Sequence, residues 1–572
     1  MEKTYQSYFN NAELLIFLKH YQENYPRWFS YESIGKSALG QDIWLITLSD
    51  RTVKSPEQKP GFWVEANIHS SEVTGTQGAL YLCEQLLEDL DASGEDSPYF
   101  ELLKKITYYI LPRFTPDGAE AFFKEKNSSR STPIPRPWRF QESSFCRKDL
   151  DGDGEITLMR WKDPCGAFKE LKGYPGVLVP RSSFDFSLES GSEYYHVLPE
   201  GVFENFDGFN KAKNNDFGYD FNRQAPSYYS PEGTQKGAGE LPLEFPETRA
   251  VAEAFRQRKN IFSSISYHTY GGFIIKPPSS IKNHELALED FMVIEKMAEL
   301  LKTNTQYSVH SGNDDFVYTP GKPLSGNFDE WYFLHQGVFG ITVEYWDPWE
   351  KASLSWQKAV EKYESISEEN MIRLLGWARE HLEQDDYFKP WTSYPHPQLG
   401  DVEIGGFKTS FFLTNPPIKF LANELEKVFQ GTLQCSQMFP HVIIKSQKKT
   451  KLADGLYHQE VVVANTGYLP TYGSVQALDM RSIPRHPEVT YTISGQSQDF
   501  RWIKKITNQE LNHLKGFSHG SPRVSPFFGT VFSHEYEQKL EWIFQGQAQI
   551  SLQIDYAKGG VLGSPFYRRV YF

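Results

Sequence analysis

Phe62-Trp63-Val64-Glu65-Ala66-Asn67-Ile68-His69-Ser70-Ser71-Glu72 is the stretch on which the first half of this chain turns. Phe62 to Ile68 is short, mostly apolar and bounded by polar and turn residues, the pattern of a strand buried on both faces. Three further stretches share it: Ile106 to Leu111, Ile261 to Tyr267 and Val338 to Tyr345. Between them lie helix-like stretches at Thr76 to Leu90, Glu247 to Lys259 with Pro246 at its start, Leu286 to Leu301 and Trp356 to Leu382. Strands alternating with helices predict an α/β domain, a mostly parallel mixed sheet with helices on both faces.

Outward from that core the texture changes twice. Asn127 to Asp216 is rich in Pro, Ser, Gly and Asp and holds no long periodic segment, so it reads as an insertion too long to be a plain loop. After Tyr387, Pro390, Pro395, Pro397 and Gly400 mark a junction. One helix-like run, Ile418 to Phe429, precedes alternating segments at Leu456 to Ala464, Glu488 to Ile493, Gln547 to Tyr556 and Phe566 to Phe572. That succession predicts a β-sandwich. The expected division is an α/β domain over 1–388, interrupted at about 127–216, and a C-terminal domain over 389–572.

Composition excludes several classes. A length of 572 residues suits two to four domains. Lys plus Arg number 59 against 73 Asp plus Glu, a net charge of −14, which leaves no basic stripe for a nucleic-acid partner. No apolar run approaches the roughly 20 residues that a bilayer demands. The amino terminus lacks a basic region followed by a long apolar stretch, so a cytoplasmic protein without signal peptide or membrane partner is expected. Cys83, Cys146, Cys165 and Cys435 lie far apart, which argues against a disulfide framework and a cysteine-rich metal site. Aromatic residues make up 15%, which suits thick cores without deciding whether some line a pocket.

The chemistry gathers at strand ends. A His-x-x-Glu pair is weak alone, but His69 sits at the carboxyl edge of its strand, where open parallel sheets collect ligands. Ser266-Tyr267-His268-Thr269 closes a second strand, and Thr342-Val343-Glu344-Tyr345 closes a third. Pro116-Asp117-Gly118 follows a fourth. A glutamate ending Phe339-Gly340-Ile341-Thr342-Val343 is hard to explain structurally, because burying its charge without a partner is costly. Two histidines and two glutamates on one rim make a metal site the simpler account. Two imidazoles and one carboxylate, with a fourth position for water, describe catalytic zinc. The assignment is His69, Glu72 and His268 as ligands, one zinc per chain, and Glu344 as general base.

Over roughly residues 5 to 385 the chain resembles the zinc carboxypeptidases related to pancreatic carboxypeptidase A. The resemblance rests on Gly35-Lys36-Ser37 before Gly40-Gln41-Asp42-Ile43, on His69-x-x-Glu72 and on Pro116-Asp117-Gly118. It continues through Asp220-Phe221-Asn222-Arg223, His268 and Thr342-Val343-Glu344. It implies hydrolysis of the C-terminal peptide bond of a peptide with a free carboxylate. By position, Asn222 and Arg223 would grip that carboxylate, which suits the bidentate guanidinium, and Asp220 would orient His69. Arg130, twelve residues after Gly118, would hold the scissile carbonyl oxygen, with Arg136, Arg139 and Arg147 as competitors. Tyr318 is the best match to the family's mobile tyrosine. Asp329 would lie at the floor of the side-chain pocket and favour a C-terminal Lys or Arg.

The departures are Thr115 where pancreatic relatives carry asparagine, and the insertion, expected beside the pocket and able to narrow access to short peptides. Within it, Asp149, Asp151 and Asp153 with Gly154 match the first half of a calcium loop, although the twelfth position is Arg160. Calcium there is one expectation and a solvated turn the other. Two competing functions stand beside the carboxypeptidase: a zinc amidohydrolase acting on cell-wall peptides or acylated amino acids, and an inactive binding protein with the β-domain as its interaction module.

Overall fold

The computed structural model describes residues 2–125, 129–136, 144–182, 185, 193–206, 208, 218–315, 322–354, 367–519 and 534–564. At its centre is an eight-stranded sheet in the order Phe29–Lys36, Asp42–Leu48, Thr107–Leu111, Gly61–Ala66, Ile261–Thr269, Phe339–Tyr345, Phe273–Lys276, Ser308–Ser311. The four strands expected from sequence are its consecutive central members, each parallel to the next. The outer pairs Phe29–Lys36 with Asp42–Leu48 and Phe273–Lys276 with Phe339–Tyr345 run antiparallel. Phe29–Lys36 escapes a periodicity reading because only Phe29 of its eight residues is buried.

Both faces are covered, as a parallel centre demands. One face carries helices Asn11–Asn24, Val73–Ser93, Leu288–Thr305 and Ile418–Ser436, whose Leu14, Leu80, Met297 and Leu425 share a core with Phe62, Ile265 and Ile341 of the sheet. The other carries Pro246–Gln257 and Phe328–Gln336, whose Phe255 and Trp331 pack with Trp63, Tyr109 and Ile261. Helix 356–382 is present as Glu368–His381, and residues 355–366 lie outside the described part.

The junction expected at residue 389 is displaced. Strands Phe388–His396 and Gly400–Phe407 join the insertion's own strands in one antiparallel six-stranded sheet, where Glu403 pairs with Arg160 and Ile404 with Met159. Phe388–His396 is the edge strand, where Pro390 and Pro395 cost no interior ladder bond. The prolines that read as a linker are therefore an edge-strand signature. Helix Ile418–Ser436 packs into the core of the first domain. Residues 388–436 thus go with the first unit by pairing and packing.

Beyond them, Val442–Ala453, Leu456–Asn465, Glu537–Gln545 and Arg501–Lys504 form one antiparallel sheet, and Glu488–Ser494, Gln549–Asp555 and Val561–Ser564 another. Val461, Leu540 and Trp542 of the first meet Ile550, Leu552 and Ile554 of the second in a shared core, a β-sandwich. The strand expected at Phe566 to Phe572 lies outside the described residues. Among the described residues, no helix is long and apolar enough to cross a membrane.

Candidate metal centre and cleft

Strand Gly61–Ala66 has Thr107–Leu111 on one side and Ile261–Thr269 on the other, so the sheet's order reverses there and leaves a crevice at the carboxyl ends. Asn67 turns the chain out of the strand with φ of +57°. Its amide donates to the His69 carbonyl at 2.6 Å, and Arg113 Nε donates to its Oδ1 at 3.2 Å. From the other side Ser70 N–H donates to the Arg130 carbonyl at 2.8 Å, and the Ser131 hydroxyl to the Ile68 carbonyl at 2.7 Å. Gly118 of Pro-Asp-Gly leaves room for this loop, since a Cβ there would stand 2.0 Å from Ser70 Oγ. Asp117 accepts from the Ser37 hydroxyl at 2.6 Å, which ties that motif to Gly35-Lys36-Ser37. Both motifs therefore buttress the loop from outside the cleft.

His69, Glu72 and His268 converge. His69 Nδ1 lies 2.8 Å from Glu72 Oε1, His268 Nδ1 lies 3.0 Å from Glu72 Oε2, and the two ring Nδ1 atoms are 3.2 Å apart. All three residues are buried. Two ring nitrogens and one carboxylate aimed at a common point need positive charge between them, and their types are those of zinc. The donor set fits that metal. His69 Nε2 faces Asp220 Oδ1 at 3.2 Å, the carboxylate–histidine pairing that fixes a ligand's ring.

Glu344 is the in-register neighbour of His268 on the adjacent parallel strand. It keeps part of its surface open to the cleft, yet burial pushes it up to about 8, with Glu72 adding to the rise and His268 and Arg130 opposing it. Burial would also raise Glu72, but His69, His268 and Arg130 outweigh it and hold that carboxyl far below the usual range. Likewise burial acts against ionised Asp220, and Arg223, His69 and Arg130 overcome it.

One cleft is lined by His69, His268, Arg130, Glu344, Asn222 and Arg223, with Asp329 and Thr342 among its other walls. Arg130 Nη1 reaches Glu72 Oε1 at 3.0 Å and its Nε reaches Asp220 Oδ2 at 3.3 Å. Arg136 is instead occupied with Glu232 and the Gly218 carbonyl, and Arg147 lies in a strand paired with Gly201–Glu204. Arg139 and Tyr318 lie outside the described residues. Arg223 Nη1 donates to Asn327 Oδ1 at 2.9 Å, while Asn222 Oδ1 accepts from Phe328 N–H at 3.0 Å. Asp329 accepts from the Thr342 hydroxyl at 2.9 Å, and burial raises its carboxyl.

Of the insertion's described residues Arg130 lines the cleft, and those between 144 and 206 do not. One expectation about the insertion changes. Calcium at Asp149, Asp151 and Asp153 finds no support. Lys389 Nζ lies 2.6 Å from Asp151 Oδ2 and 2.5 Å from Asp153 Oδ2, and Asp149 accepts backbone N–H groups of Gly152 and Gly154. The chain supplies that loop's cation itself.

Sequence reasoning missed Asn67, Arg113 and Asn327, which hold the loop and Arg223 in place. Only Asn67 carried a local signal, as the polar residue between a buried strand and a histidine.

A family model described as zinc carboxypeptidase matches residues 14–160 and 191–367, and one described as a domain of unknown function matches 441–564. The chain is 23% identical over 235 residues to carboxypeptidase D of Homo sapiens, covering 40% of this chain and 17% of that protein. It is 24% identical over 197 residues to carboxypeptidase SOL1 of Arabidopsis thaliana, covering 34% of this chain and 38% of that one. The matches thus span well under half the length of these relatives. Among solved structures, carboxypeptidase A from Helicoverpa armigera aligns at 13% identity over 76% of this chain and 74% of its own, with a TM-score of 0.42.

Proposed function

The chain belongs to the zinc carboxypeptidase family, and from that premise we propose that it is a zinc-dependent metallocarboxypeptidase cutting the last peptide bond of peptides with a free C-terminal carboxylate. The observation that carries this is a single cleft lined at once by His69, His268, Glu344, Arg130, Asn222 and Arg223. A general hydrolase has no use for a guanidinium and an amide placed to receive a carboxylate beside such a centre.

His69, Glu72 and His268 hold the zinc, which when bound supplies a Lewis acid that brings the pKa of water down toward neutrality. Arg223 and Asn222 hold the terminal carboxylate and so set which bond is presented. Arg130 offers its charge to the developing oxyanion, where fixed donors act most strongly. Glu344 accepts the proton of the attacking water and returns it to the leaving amine. Asp329, at the cleft wall, selects a C-terminal Lys or Arg by ion pairing, the incoming cation offsetting the burial that raises its carboxyl.

Metal analysis combined with release of C-terminal residues from a mixed peptide library tests the scheme. Wild type should bind one zinc and release single residues; chelation should abolish release and added zinc restore it. Release of internal fragments, or undiminished release after chelation, would refute the proposal.

A further inference from the structure

Helix Val73–Ser93 begins at Glu72, whose side chain makes no capping bond, because its carboxylate is turned to His69, His268 and Arg130. The first-turn N–H groups of a helix nonetheless need acceptors. One comes from far along the chain: Asn415 Oδ1 accepts Thr74 N–H at 3.0 Å and the Thr74 hydroxyl at 2.8 Å. The Asn415 Nδ2 donates to the carbonyls of Ser71 at 2.8 Å and Ser410 at 2.9 Å. Asn415 and Thr74 are fully buried. One amide thus brackets Glu72, holding the residue before it and the second residue after it.

Asn415 lies beyond residue 367, where the family match ends. Its turn is anchored on both sides: Trp346, two residues past Glu344, donates its Nε1–H to the Phe412 carbonyl at 2.8 Å, and the Tyr8 hydroxyl donates to the Pro416 carbonyl at 2.7 Å. If the Asn415 amide is removed, Thr74 N–H becomes a buried orphan. The ready replacement is the Glu72 carboxylate, since an N-cap side chain reaches the second and third N–H groups. Cap and cation would then compete for one carboxylate.

We propose that Asn415 is a positioning residue of the metal centre, capping helix 73–93 in place of Glu72 and so keeping the Glu72 carboxylate turned to the metal. The inference rests on His69, Glu72 and His268 being the ligands. Zinc affinity, measured by competition with a chromogenic chelator on protein whose fold is checked by circular dichroism, tests it. Asn415→Ala should weaken zinc binding about 10- to 100-fold, the range for residues that orient metal ligands. Asn415→Asp, which keeps the acceptor for Thr74 but turns an oxygen toward the Ser71 and Ser410 carbonyls, should recover only part of that loss. Asn415→Ser, too short to reach both Ser71 and Thr74, should lose affinity in the same direction and decides the matter if the alanine variant does not fold. Unchanged zinc affinity in folded Asn415→Ala or Asn415→Ser, whatever happens to the melting temperature, overturns the proposal. Glu72→Ala separates the two levels: wild-type affinity there would refute the ligand assignment itself, whereas loss in Glu72→Ala with none in the Asn415 variants refutes this inference alone.

Discussion

In the cleft, His69, Glu72 and His268 turn their donor atoms toward one another, with Arg130 and the Thr269 N–H touching the carboxylate from the side. In the insertion, Asp151 and Asp153 close on Lys389. On the C-terminal sheet, His458, Glu460 and Glu541 gather around Lys539, which pairs with both glutamates. All three groups could hold a metal by residue type and spacing. What separates them is where the chain puts its own cation. In two of them a lysine ammonium sits among the acids, which are balanced near the surface. In the cleft Arg130 reaches Glu72 from the side only, and the ring nitrogens of His69 and His268 still face each other and the carboxylate across a space that a metal ion would fill.

The largest effect that would break this comparison is at Glu344. Glu344→Gln should lower kcat about 10²- to 10⁴-fold with the zinc content unchanged, because the residue is assigned to proton transfer and not to ligation. Full activity in that variant would remove the mechanism. Next comes Arg223→Ala. Removing one partner of a desolvated charge pair costs about 2–5 kcal/mol, so kcat/KM on peptides with a free carboxylate should drop roughly 30- to several-thousand-fold. The drop should be far smaller on C-terminally amidated peptides; an equal loss on both would mean that Arg223 serves the fold through Asp220 and Asn327. Asp329→Ala should erase about 1.5–3 kcal/mol of preference for C-terminal Lys over Phe, read as a ratio of kcat/KM values. An unchanged ratio moves the specificity determinant elsewhere.

The parts of this site legible in the sequence are those whose physics is local. Glu344 stands out because it ends a run of apolar residues, and His69 because a buried strand stops just before it. Asn222 and Arg223 came through only by resemblance. The scaffold is another matter. Asn415 sits in Asn-Pro-Pro, which reads as a turn, and its partner Thr74 is 341 residues away. No periodicity reports a cap provided in trans. The hairpin at 388–407 failed for a related reason: its prolines break an interior strand but suit an edge, and which edge it joins depends on Arg160 and Met159 in the insertion. Burial patterns announce central strands, while pairings between distant segments leave no local trace.

The smallest expected effect sharpens the comparison from its other side. If Lys389 is the loop's cation, calcium should leave the melting temperature of the wild-type protein unchanged. Lys389→Met removes the ammonium and keeps most of the stem. Because Asp151 and Asp153 are partly solvated, loss of the pairs should cost only about 0–1 kcal/mol, a small downward shift in melting temperature. The three acids then face one another uncompensated, so the variant should become calcium-responsive, with added calcium raising its melting temperature back toward wild type. A calcium response in the wild type would restore the calcium-loop reading. No response in either protein would mean that Asp149, satisfied by Gly152 and Gly154, holds the turn without help from any cation.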